Sequence, residues 1–225
     1  MLIYLLPPSE GKNDWGVDAI SSRTFDFELP LVIAENTTQK DLKCKGVRYE
    51  EWMKLNKSVQ TSQVLPAIQR YTGVMYKAIW VETMYEDAQK YFSEHVLVLS
   101  GMYGILKPND TIANYKLPID SKGLKAWRGD KITDALIEYA HGFEEVVIVD
   151  LLSGAYQKML DRNKIREQGI KYVQVNFMKS DEGVLKKYTH GVKKVKGEKL
   201  REWCEEEGLF KELLEGEEEV IEVVV

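Results

Sequence analysis

The chain has 225 residues, 44% hydrophobic and 30% charged, a globular balance rather than a disordered one. No apolar run reaches the length of a membrane span, so no membrane partner is expected. Net charge is −5, but residues 202–225 hold ten Glu and one Lys, which leaves the rest of the chain at about +4 and open to an anionic partner.

In chain order, Leu2–Leu6 reads as a buried first strand ended by Pro7 and Pro8, not as a signal peptide. A polar loop, SEGKND, follows. Residues 35–68 read as mostly helical, with breaks near Gly46 and Pro66. Tyr71–Trp80 is aromatic-rich and ambiguous. Residues 84–94 read as a helix from the spacing of Tyr85, Ala88 and Phe92. Val96–Leu99 is a short apolar strand running into a long ordered loop punctuated by Gly101, Gly104 and Pro108. Tyr115–Ile119 reads as a returning strand. Asp130 then caps a helix whose apolar face is Ile132, Ala135, Leu136 and Tyr139.

Val146–Val149 is a further apolar strand, with Leu151–Leu160 as the helix after it. Lys171–Met178 alternates as a strand, and Val184–Tyr188 hairpins back across SDEG. A basic helix covers about 192–206, a short helix 209–215, and Glu219–Val225 closes as a β-rich tail. Strands alternating with helices, several of them apolar on both faces, predict an α/β fold: one compact domain over 1–225, with helices packed on a central mixed sheet. A monomer is the expected state. Cys44 and Cys204 belong to no paired motif, as expected of free thiols in a reducing cytoplasm.

Several motifs are absent. PPSEGK lacks the leading glycine of a Walker A loop, no GxGxxG follows a strand, and no GxSxG occurs. His95, His141 and His190 have no ligand spacing, so neither a metal nor another cofactor is expected.

The positive candidates stand where strands end, the edge at which open α/β sheets bind ligands. Ser9, Glu10 and Lys12 follow the first strand, where a solvated turn reads equally well. Ser100, Tyr103 and Lys107 follow the second, with Gly101 and Gly104 allowing close approach, and Asp110 and Tyr115 come after them. Asp150, Ser153 and Tyr156 end a third strand, and Asp130 adds a carboxylate. A basic run from Lys186 to Arg201 carries Lys187, Lys193, Lys194, Lys196 and Lys199 with Glu198 the lone acid. That run suits a phosphate backbone, or a solvated helix face.

Taken together, these blocks resemble the YaaA-like peroxide stress response family. The resemblance runs through LLPPSEGK, YTGVMYKAI (71–79), LSGMYGILKPND, AWRGDKITDAL, VVIVDLLSGAYQKML and KKVKG. It implies a cytoplasmic protein that limits iron-dependent oxidative damage. It also implies a positively charged cleft that binds duplex DNA without sequence preference. Carried over, Lys12, Lys107, Lys193, Lys194 and Lys196 match basic positions of the family's blocks. The family's helix-hairpin-helix precedes the YTG block; here KLNKSVQTSQVLPAIQRYTG lacks a glycine hairpin between two helices. The alternative is an enzyme acting on a nucleotide, nucleobase or other small anionic metabolite. Its pocket would be lined by Ser9, Lys12, Tyr71, Tyr76, Ser100, Tyr103, Lys107, Tyr115, Asp130, Ser153 and Tyr156. A perturbed Lys or Tyr in a closed site favours that reading; an open basic groove favours DNA.

Overall fold

A computed structural model describes residues 1–120, 122–127, 130–181, 184–206 and 219–225. The strands are β1 (Leu2–Leu6), β2 (Val64–Pro66), β3 (Val96–Ser100), β4 (Gly104–Leu106), β5 (Thr111–Ala113), β6 (Val147–Asp150), β7 (Lys171–Asp181), β8 (Val184–Lys187) and β9 (Val220–Val224). The helices are α1 (Leu31–Glu35), α2 (Gln39–Leu42), α3 (Val47–Lys57), α4 (Ala67–Arg70), α5 (Val74–Ile79), α6 (Glu86–His95), α7 (Gly123–Ala126), α8 (Lys131–Ala140), α9 (Gly154–Gln157), α10 (Arg162–Glu167) and α11 (Val192–Glu205).

The architecture is α/β, with a mixed central sheet in the order β4-β3-β1-β6-β7-β8 and β9 added to β7. Strands β3, β1, β6 and β7 run parallel, so their C-terminal ends share one edge. Alternation along β1 sends Ile3 and Leu5 to one face, Tyr4 and Leu6 to the other, all buried. The first face packs on α8 and α10 through Ile132, Leu136 and Ile165. The second packs on α5, α6 and α11 through Met75, Ile79, Phe92, Leu200 and Trp203. Burying a large apolar side chain contributes about 1.5–3 kcal/mol, so a strand covered on both faces is held by its whole sequence. No described helix is long and apolar enough to cross a membrane.

From β1 the chain crosses over to β3 on one side and later returns to β6 on the other. Strand β1 thus flanks the topological switch point, the edge at which open α/β sheets bind ligands. A second feature borders that edge. Gln174 of β7 pairs with both Asp150 and Val220, and Met178 with both Lys187 and Val224. A residue has one partner per side, so β8 lies on the β6 side of β7, beyond the end of β6. The β7–β8 hairpin therefore runs roughly 20 Å past the sheet edge at the usual rise per residue.

Several elements differ from the sequence expectations. The loop after β3 contains β4, which folds back antiparallel onto β3 with Ser100 opposite Gly104. Gly104 adopts a left-handed φ of +73°, which lets so short a hairpin close. Tyr115–Ile119 forms no strand; the strand of this region is β5, paired with β2. Leu151–Leu160 is not one helix, because only the turn α9 forms. Asp130 occupies the N-cap position of α8 without a side-chain cap bond and instead pairs with Lys164. The short helix expected over 209–215 lies outside the described residues. The strand at β7, its hairpin with β8 and the basic helix α11 form as expected.

Candidate functional site

The edge where β1, β3 and β6 end gathers most of the candidate side chains. At the end of β3, Ser100 Oγ accepts hydrogen bonds from the backbone N–H of Met102 (3.2 Å) and Tyr103 (3.1 Å). It also lies 2.8 Å from the Tyr115 hydroxyl, which lies 3.0 Å from that of Tyr71. A serine oxygen has two lone pairs, and both are taken by N–H donors. Its own proton therefore goes to Tyr115, and Tyr115 donates in turn to Tyr71. The chain ends on the Tyr71 hydroxyl, whose proton is left to donate onward. Tyr76 donates to the Pro7 carbonyl at 2.9 Å, and Tyr103 accepts from Ala113 N–H at 3.1 Å. Burial raises the pKa values of Tyr71, Tyr76, Tyr103, Tyr115 and Tyr156, so all five are neutral phenols near neutral pH.

Lys12 enters this group from the loop after β1. Its Nζ sits 4.1 Å from the Tyr115 ring centroid and 5.5 Å from that of Tyr71, and it donates to the Ser9 carbonyl at 2.8 Å. No carboxylate lies within ion-pair distance of it among the described residues. Burial pulls the Lys12 pKa well below its ordinary value. The Lys116 charge adds to this, Glu10 opposes it, and Arg70 contributes in the same direction as Lys116. Lys116 itself stands over the Trp52 ring at 4.7 Å and donates to the Glu10 carbonyl at 2.6 Å.

The loop carrying Lys12 is held from below by Arg70. Its guanidinium is buried and donates to the carbonyls of Asn13, Trp15, Gln63 and Ile112. Backbone pairing of Lys12 with Tyr71, and of Asn13 N–H with the Arg70 carbonyl, completes the clamp. Arg70 and Lys116 are absent from the sequence candidates, although each adjoins one of them, Tyr71 and Tyr115.

On the other side of β1, Asp150 is buried at the end of β6. Its carboxylate accepts from Leu152 N–H (2.7 Å) and Gln157 Nε2 (2.8 Å). Lys196 reaches it from α11 and donates to the carbonyls of Leu151 (2.8 Å) and Leu152 (3.1 Å). Burial lowers the Lys196 pKa to about 8, with Asp150 opposing the shift and Lys187 of β8 adding to it. Ser153 and Gly154 are exposed beside it, with open space around the glycine. Tyr156 closes the group against the Ile119 backbone, near Tyr115 and Glu10.

Not every candidate converges. Strand β4 runs antiparallel to β3, so Lys107 leaves toward the opposite edge, where its Nζ stands 5.1 Å from the Tyr139 ring centroid. Asp130 lies on the α8–α10 side, bound to Lys164 at 2.8 Å. Lys193 and Lys194 project from the exposed side of α11, and Lys194 pairs with Glu198. The stretch expected to lack a helix-hairpin-helix does lack one. Helix α3 gives way to a turn, the strand β2 and the single turn α4.

This geometry can be set beside known proteins. Residues 3–214 match the profile of the family described as "Peroxide stress protein YaaA". A "UPF0246 protein" of Francisella tularensis subsp. mediasiatica is 30% identical over 142 residues, covering 60% of this chain and 55% of the relative. The subspecies novicida protein of the same description gives the same figures. That of Francisella philomiragia is 28% identical over 137 residues, covering 58% of this chain and 53% of its own length. The chain thus spans little more than half the length of these curated relatives. The match to the family profile runs through every strand of the site and ends just short of β9: the chain belongs to the YaaA peroxide stress protein family.

Proposed function

We propose that this protein serves the peroxide stress response as an enzyme acting on a nucleotide-like anionic small molecule bound at the strand ends. The observation that carries this reading is the setting of Lys12. A non-specific backbone binder keeps its cations hydrated and free to track phosphates. Lys12 is instead desolvated against two tyrosine rings, beside a hydrogen-bonded chain of Ser100, Tyr115 and Tyr71. Perturbed titratable groups gathered at a switch point are the mark of a reacting site. Flat tyrosine faces suit a base or sugar, and the Lys187–Lys196 side suits its phosphate.

A second reading keeps duplex DNA as the partner, shielded from iron-dependent oxidation. It is favoured by the exposed lysines Lys179, Lys186 and Lys187 of the β7–β8 hairpin, with Lys193 and Lys194 of α11 beside them.

Calorimetric titration with a nucleoside monophosphate and with duplex DNA, each across a salt series, separates the two. The enzyme reading expects saturable mononucleotide binding that Lys12→Met weakens by about tenfold, roughly 1.4 kcal/mol. Binding of duplex DNA alone, steeply salt-dependent and lost on replacing Lys193 and Lys194 but not Lys12, would establish the second reading instead.

A further inference from the structure

Lys12 combines three properties that a merely electrostatic lysine does not need together. Its ammonium has no carboxylate partner within ion-pair distance among the described residues. It is walled by the rings of Tyr71 and Tyr115. A second cation, Lys116, shares its loop through the Glu10 carbonyl. A desolvated amine beside another cation is the arrangement that turns lysine from a charge into a nucleophile. The groups facing it are Ser9, Glu10, Arg70 and Lys116, with the two tyrosine rings: the Glu10 charge, the Ser9 carbonyl and the ring faces favour the charged form, while burial and the charges of Lys116 and Arg70 oppose it. Lys196, by contrast, spends two of its three donors on the carbonyls of Leu151 and Leu152, and Lys193 and Lys194 are exposed.

We propose that the Lys12 amine condenses with the carbonyl carbon of a phosphate-bearing aldehyde or ketone held at the strand ends, forming an imine. This rests on the reading of the strand ends as a small-molecule site and names the class of substrate. The amine nitrogen forms a C–N bond as the carbonyl C–O π bond opens. Both amine protons pass to the oxygen, which leaves as water, and a C=N bond remains. No oxidant or reductant is consumed. The Tyr71 hydroxyl, donor end of the Ser100–Tyr115–Tyr71 chain, is positioned to orient the carbonyl oxygen. Two chemically equivalent sources exist: the ring-opened deoxyribose of an abasic nucleotide, and a free sugar phosphate in its aldehyde form.

Reductive trapping tests this. The full chain is incubated with sodium cyanoborohydride and a limiting amount of either an abasic single-stranded oligonucleotide or glyceraldehyde 3-phosphate, then mapped by peptide mass spectrometry. The expected result is one adduct on Lys12, several-fold in preference to the exposed Lys193 and Lys194. Lys12→Arg keeps the cation and loses the adduct. The arm that labels faster identifies the source. Labelling spread evenly over exposed lysines, or an unlabelled Lys12 in wild-type protein that still binds a nucleoside monophosphate, overturns the imine and leaves the small-molecule site standing. Loss of mononucleotide binding as well overturns both.

Discussion

A Cβ on Gly73 would stand 2.2 Å from Ser9 Oγ and 3.2 Å from Ser9 Cβ. The loop after β1 and the start of α5 meet there with no room for a side chain, and the Ser9 hydroxyl fills the gap above the glycine. Gly73 has an extended φ of −68°, so space and not backbone conformation requires it.

Gly73→Ala therefore tests whether Ser9 lines the site. The nearest obstruction is the end of a small side chain that can rotate away, so stability should fall by about 1 kcal/mol or less. Rotation re-aims the hydroxyl of Ser9, the residue whose carbonyl accepts from Lys12 Nζ. Mononucleotide affinity should fall several-fold while the urea midpoint barely moves. A large midpoint shift with unchanged affinity would make Gly73 a packing residue only.

Helix α11 meets α5 at a different glycine. A Cβ on Gly197 would lie 2.4 Å from the Met75 carbonyl oxygen and 2.8 Å from Ala78 Cβ. Backbone cannot swing aside, so Gly197→Ala must push the two helices apart and strip packing from Leu200 and Trp203. The expected loss is about 2–3 kcal/mol, measured by urea unfolding. Because Lys196 precedes it, the variant should also loosen the contact of Lys196 with Leu151 and Leu152.

Arg70 is the buried cation that shapes the Lys12 loop. Arg70→Met leaves four carbonyls without their donor, that of Ile112 buried and those of Asn13, Trp15 and Gln63 part-buried, at about 1–3 kcal/mol for each group that water cannot reach. Unfolding by urea should show a loss of several kcal/mol. Arg70→Lys should recover little of it, since an ammonium cannot span carbonyls arranged around a planar fork.

How much of this was legible in the sequence varied with the kind of interaction. α6, α8 and β7 followed from periodicity, because buried apolar patterns report directly on the faces that pack. β4 did not, since Gly-Ile-Leu is too short for a pattern and its hairpin depends on the φ of Gly104. Tyr115–Ile119 alternates like a strand, yet the buried Asn56 side chain takes a strand's place. It accepts from Lys116 N–H and donates to the Lys116 carbonyl, each at 2.8 Å. The Ser100, Tyr115 and Tyr71 convergence was visible as residue types at strand ends. Lys107 was misdirected by the unrecognised reversal of β4. Arg70 and Lys116 could not be found by type or spacing, because their partners are backbone carbonyls, which no sequence marks.

Lys196 offers a test in pH. Its folded pKa is lowered from 10.5 to about 8 by burial. Below pH 8 both the folded and unfolded chains hold the proton, and the fold bears the full cost of the desolvated cation. Between about 8 and 10.5 the folded chain releases the proton while the unfolded chain keeps it. The unfolded state then binds more protons, so this residue's contribution to stability rises with pH. Lys196→Met removes the titration and costs the bonds to Leu151 and Leu152 at every pH. The stability of wild type relative to Lys196→Met should therefore grow from pH 8 to 10 by about 1–2 kcal/mol, allowing for solvent screening at a partly exposed side chain. Groups that titrate in both proteins cancel in the comparison. A difference that stays flat across that range would mean that Lys196 keeps an ordinary ammonium and is not desolvated against β6.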